Sequence, residues 1–202
     1  MLRKLLFLAA VPMLAQQASN VIQMPSDRVG DSYAIFSSLL PGKPFDTLSP
    51  EQYPQWAIAD TTVSIADMSP AVPPQGQLKP PPDNPSAFNQ ALQDYEARKY
   101  QRVQLMPIFH VTHQYDLITD SQVKDLRTAK ASVTADSALQ SKYRGYPGVT
   151  FFSQVFYNGP HTAALVYMNN WCNELCNGGE WVYLEKHGGQ WVRRSGVNVP
   201  GA

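Results

Sequence analysis

The chain has 202 residues, 44% of them hydrophobic and 16% charged, and its sixteen basic residues balance sixteen acidic ones. That is enough apolar material for a core, and the neutral balance lacks the basic footprint of a nucleic-acid binder. Seventeen prolines and two cysteines exclude a long helical bundle and a disulfide-dense mini-protein, and no segment reaches the roughly 20 apolar residues of a spanning helix.

The first eighteen residues read as a secretory signal peptide. Arg3 and Lys4 supply the positive start, Leu5 to Leu14 the apolar stretch, and Ala15 or Ala18 the small residue before cleavage. No cysteine follows that stretch, so lipid attachment there is not supported. Without Arg3 and Lys4, the sixteen basic residues become 14 against 16 acidic ones, a net charge of −2. The expectation is an exported protein, periplasmic or extracellular, with no integral membrane span after signal removal. Residues 19–202 are expected to form one domain with a proline-rich loop over 70–85.

Ser26-Asp27 offers an N-cap, and Tyr33, Phe36, Leu39 and Leu40 follow at helical spacing until Pro41-Gly42 stops them. Residues 43–55 read as loop, and Trp56 to Met68 as one short strand. Residues 70–85 hold seven prolines, which withhold ladder hydrogen bonds and favour polyproline II, so a surface loop or semi-rigid linker is expected. Asn84-Pro85 starts a helix to about Arg102, with Phe88, Ala91, Leu92 and Tyr95 on one face. Val103 to Ile118 has strand alternation. Asp120-Ser121 opens a short helix carrying Val123, Leu126 and Ala129, and residues 131–148 read as loop or marginal helix.

The last fifty residues alternate strands and turns. Val149–Tyr157, Thr162–Asn169, Glu180–Lys186 and Trp191–Arg194 read as strands. Asn158-Gly159-Pro160-His161 and His187-Gly188-Gly189-Gln190 read as turns, and Trp171–Gly179 as a loop. The expected class is α+β: about three helices packed on one face of a C-terminal four-stranded antiparallel meander.

This ending carries a pattern. It reads Tyr146-Pro147-Gly148, Ser153 to Asn158, Thr162 to Tyr167, Cys172 to Cys176, Gly178-Gly179 and Leu184 to Trp191. Over about residues 146–192 it resembles a group of uncharacterised secreted bacterial proteins. Where that group often has glycines beside the first cysteine, this chain has Asn173-Glu174. The resemblance implies export and an α+β fold, and it implies no reaction.

Candidate chemistry is sparse. Cys172 and Cys176 suggest a disulfide in an exported chain; three intervening residues without a helix argue against a redox pair. His161, His187 and Glu174 approach a metal only if the hairpins fold together, which no spacing demands. His110, His113 and Asp116 share a face on a helix and there suit zinc, but on the expected strand positions three apart face opposite ways. Ser153 has no nucleophile elbow around it. Trp171, Trp181 and Trp191 recur every ten residues; exposed, they make a stacking platform for sugars or peptides, and covered by helices they make a core. No catalytic site, metal or cofactor is expected. The expected function is a non-catalytic binding or interaction domain with an envelope or extracellular partner, protein or glycan. The alternative is a small envelope hydrolase using His110, His113 and Asp116.

Overall fold

Residues 163–168 read Ala-Ala-Leu-Val-Tyr-Met, with no polar position among them. A strand apolar on both sides needs cover on both sides. The computed structural model describes residues 21–43, 45–49, 51–131, 136–173 and 176–200. The signal peptide expected over 1–18 lies outside these residues, as does Glu174.

The strands are β1 (Val21–Gln23), β2 (Gln55–Ala59), β3 (Arg102–Gln104), β4 (Gln114–Ile118), β5 (Val149–Phe152), β6 (Phe156–Tyr157), β7 (Ala163–Asn173), β8 (Cys176–His187) and β9 (Gln190–Pro200). The helices are α1 (Ser26–Leu39), α2 (Pro85–Arg98), α3 (Asp120–Ala131) and α4 (Ser137–Lys142). A seven-stranded sheet runs β4-β2-β5-β7-β8-β9, with β6 also on β7, and β1 pairs β3 separately. The class is α+β, and β7, β8 and β9 form an antiparallel meander. The far half of the sheet is parallel: β2 runs with both β4 and β5.

Alternation along the central strands sorts the core. Ala164, Val166, Met168, Val182 and Leu184 pack with Tyr33, Ile35 and Phe36 of α1. Ala163, Leu165, Tyr167, Trp181 and Tyr183 pack with Ala87, Phe88, Ala91 and Tyr95 of α2. Farther along the α2 face, Val123 and Leu126 of α3 cover Ala57, Ala59, Val149 and Trp171. Both faces of β7 and β8 are therefore covered. This corrects the expected one-sided packing of three helices. A helix on one face leaves half of the 163–168 run in water, at about 25 cal/mol for each Å² of apolar surface.

Other expectations also change. Ser26 is the first helical residue and Pro25 holds the cap position. Asn84 does sit at the N-cap of α2, but its amide donates to Glu185 at 3.1 Å. The strand expected over 103–118 splits into β3 and β4, which join different sheets. The strand expected over 149–157 breaks at Ser153, whose hydroxyl accepts the Tyr167 amide at 2.8 Å. The loop expected over 171–179 is instead mostly strand, as β7 runs to Asn173 and β8 resumes at Cys176. The Gly188-Gly189 turn forms as expected, with φ of 57° and 83°, where a Cβ is strained. The proline-rich segment is packed: Pro74 and Leu78 are buried, and the Trp181 indole donates to the Val72 carbonyl at 2.7 Å.

Candidate functional site

Parallel strands place their carboxyl ends on one side of a sheet, and the crevice beyond those ends is where open α/β sheets bind ligands. Here β2, β4 and β5 end together. A cavity of about 270 Å³ opens beside these ends on the α2/α3 face. Its floor is Ala59, Phe151, Tyr167 and Asn169 of the sheet. One wall is α3, through Asp120, Val123 and Arg127; the other is Thr61, Val63, Asp67 and Met68. The second wall is held by backbone bonds from the Val63 amide to the Phe152 carbonyl (2.7 Å) and from the Thr62 amide to the Val103 carbonyl (2.9 Å).

Two arginines line the groove, and they differ. Arg102 is fully engaged. It donates to the Thr62 carbonyl at 3.0 Å, to Asp120 at 3.1–3.2 Å and to the Thr61 hydroxyl. Arg127 has no hydrogen bond or ion pair among the described residues. Its guanidinium lies 5.2 Å from the ring centres of both Phe151 and Trp171, and its buried Nε lacks an acceptor. Burial pulls its pKa below the ordinary value, yet an arginine stays charged. Asn169 is 2% exposed, and its Oδ1 also lacks a partner. Burial pushes the neighbouring Tyr167 phenol up to about 12, against a hydrogen bond from Asn169, so the phenol stays neutral. Arg127 thus brings to the groove wall a cation that no described carboxylate pairs.

No lining residue forms a nucleophile–base pair. Asp67 accepts from the Ser64 amide and hydroxyl, both at 2.7 Å, and Asp120 faces Arg102. The groove lacks histidine and cysteine. The groove offers two guanidinium groups, two carboxylates and apolar walls.

The residues singled out in the sequence lie elsewhere. His113 stacks on Trp56 at 4.4 Å, and its Nε2 meets the Tyr53 carbonyl at 3.0 Å. Asp116 accepts the Tyr146 hydroxyl at 2.5 Å. His110 is exposed, its amide bonded to Ser37. The three side chains share no partner, and no group of three metal-ligating side chains occurs among the described residues. His161 stacks on Tyr157 at 4.5 Å, while His187 sits 3.5 Å from Glu185. Cys172 and Cys176 face each other across the end of the β7–β8 pair at disulfide distance, with Cα atoms 5.3 Å apart. Trp181 is fully buried and Trp171 is 7% exposed; half-buried Trp191 donates to Asp31 at 3.0 Å. On the described sheet these tryptophans do not form an exposed row.

Sequence reasoning missed Arg127 and Asn169. Asp120, Val123 and Arg127 fall at i, i+3 and i+7, one helical face, so a cation on an otherwise inward stripe was the available signal. Asn169 is the first polar residue after the apolar run 163–168. No family model, curated protein or solved structure matches this chain.

Proposed function

We propose that the protein is an exported, non-catalytic binding domain that takes a small ligand in the groove between α3 and residues 61–68. The observation that carries this reading is a partly apolar cavity beside the carboxyl ends of β2, β4 and β5, with Arg127, a guanidinium without a protein acceptor among the described residues, on its wall. Export is supported by the charged and apolar start, the resemblance of residues 146–192, and the cysteine pair. The described helices include none long and apolar enough to cross a membrane. The hydrolase alternative draws no comparable support, because His113 and Asp116 are engaged with separate neighbours.

The test is a panel of small organic acids, amides, alcohols and sugars, mapped by amide NMR shifts on the oxidised protein. Binding is expected to move the Asn169 side-chain amide and to alter Trp171 fluorescence, since Trp171 packs on Arg127. A double variant His110→Ala/His113→Ala is expected to bind as the wild type does. Shifts confined to another surface, or turnover lost in that variant, overturn the reading.

A further inference from the structure

We infer that a second hollow, at the carboxyl ends of α3 and α4, binds an anionic sugar: a hydroxylated body carrying a carboxylate or a phosphate. This goes beyond the groove reading and does not rest on it. The hollow measures about 520 Å³, and Gln52, Gln140 and Arg144 on its walls are exposed to water. At ~30 Å³ for a water-sized group, that volume admits one sugar ring with its substituents. Three elements build it. Gln52 and Tyr53 sit on a turn whose amides donate to the Ser49 carbonyl at 3.1 and 3.0 Å. Lys130 stands in the last turn of α3. Gln140 belongs to α4, and Arg144 follows that helix.

The charge follows from Lys130 and Arg144. Unlike the α3 groove, where two aspartates balance two arginines, this hollow is lined by two cations and no carboxylate. Neither side chain has a hydrogen bond or ion pair among the described residues. The Lys130 ammonium lies 5.5 Å from the Tyr53 ring centre. Burial alone pulls it below its ordinary value, with no neighbouring carboxylate to raise it. Residues 132–135, between α3 and α4 in the chain, are Ser, Val, Thr and Ala and bring no acid. The carbonyl end of α3 offsets about half an elementary charge, so a positive excess remains. A guanidinium fork and an ammonium both suit the oxygens of a carboxylate or a phosphate. The hydroxylated body follows from the rest of the lining. The Gln52 and Gln140 amides are of the kind that both donate to and accept from hydroxyls, and the aliphatic contribution is Ala129 alone among the described residues. An apolar acid finds little there to pack on.

The experiment is titration calorimetry at low salt on the full, oxidised protein, with amide NMR to place the site. The four probes are glucuronate, glucose 6-phosphate, glucose and benzoate. The two charged sugars are expected to bind, to shift the Gln52, Lys130 and Arg144 amides, and to weaken as salt rises. Glucose, which lacks the charge, is expected to bind about tenfold more weakly or worse. Benzoate, which lacks the hydroxyls, is expected to bind several-fold more weakly than glucuronate. The tighter of the two charged sugars identifies the anionic group as carboxylate or phosphate. Arg144→Gln, a change at an exposed position, is expected to weaken both charged sugars several-fold and to leave glucose unchanged. Lys130→Gln is expected to do the same, and the wild-type ranking decides even if that variant fails to fold. Glucose binding as tight as the charged sugars overturns the proposal, and so does benzoate binding tighter than glucuronate. Shifts confined to the α3 groove overturn it too. Absence of binding by all four probes at millimolar concentration overturns it as well, while the wider panel decides separately on the groove.

Discussion

Asp94 ties α2 to two other parts of the molecule. Its carboxylate accepts from Arg28 of α1 at 2.8 and 3.1 Å, from Arg98 at 2.8 Å, and from the Tyr157 amide at 2.9 Å. Burial pushes this carboxyl up, but the Arg28 hydrogen bond, the Tyr157 amide and both arginine charges outweigh it and hold the group below its ordinary value. A depressed value contributes stability that is fully present above the unfolded value near 3.9 and is lost as pH falls through the lower folded value. Asp94→Asn is therefore expected to cost about 3 kcal/mol at neutral pH, because it strands two guanidinium groups. It is also expected to flatten the acid limb of the stability curve. Urea melts from pH 2 to pH 7 check both; a variant with an unchanged acid limb rules out this role. Gly148 is the second sensitive position. A Cβ there runs into the backbone carbonyl of Trp171, just where β5 meets β7. Gly148→Ala is expected to cost about 1–3 kcal/mol through overpacking, read from the same melts.

Two elements invite a direct test of what their contacts are worth. The Cys172–Cys176 link closes a loop of only four residues' separation, so its chain-entropy contribution is about 2 kcal/mol at most. Replacing both cysteines by serine is expected to lower stability within that limit and to leave ligand binding in the groove unchanged. A larger loss on reduction means that the link holds more than its own hairpin. The proline-rich segment is held by the Trp181–Val72 bond and by buried Leu78. Trp181→Phe removes that bond, worth about 1 kcal/mol, and is expected to speed hydrogen exchange at the Gln77 and Leu78 amides, which donate to the Pro74 carbonyl. Unchanged exchange there shows that the segment is held independently of Trp181. These elements also explain how far the sequence could be read. The Asn84-Pro85 start and the Gly188-Gly189 turn were legible because each rests on local backbone chemistry. β2 and β4 are five residues each and pair in parallel across almost sixty residues, so no turn marks them. The groove was illegible for a related reason. That Arg127 lacks an acceptor is a fact about neighbours from α3, β5 and β7, and no spacing within α3 shows it.

The three core clusters share strands. β2 and β5 contribute to the α1 side and to the α3 side, and β7 contributes to all three clusters. Loss of β7 removes the floor of each one. Heat or denaturant is therefore expected to unfold the described core in a single step, with tryptophan fluorescence and far-UV circular dichroism giving coincident transitions. Two separated transitions mean that α3 and the parallel edge melt independently of the meander.

The place of the central strands along the chain also sets the order of events during synthesis. α1 ends at Leu39 and α2 at Arg98, yet the surfaces that receive them are built largely from residues 163–187. At 5–20 residues per second, Leu165 is made about 6–25 s after Leu39. Through that interval α1 has only the β2–β4 pair and the segment around Leu105 and Phe109 to pack on. Most of the surface that both helices cover is missing until the last quarter of the chain is made.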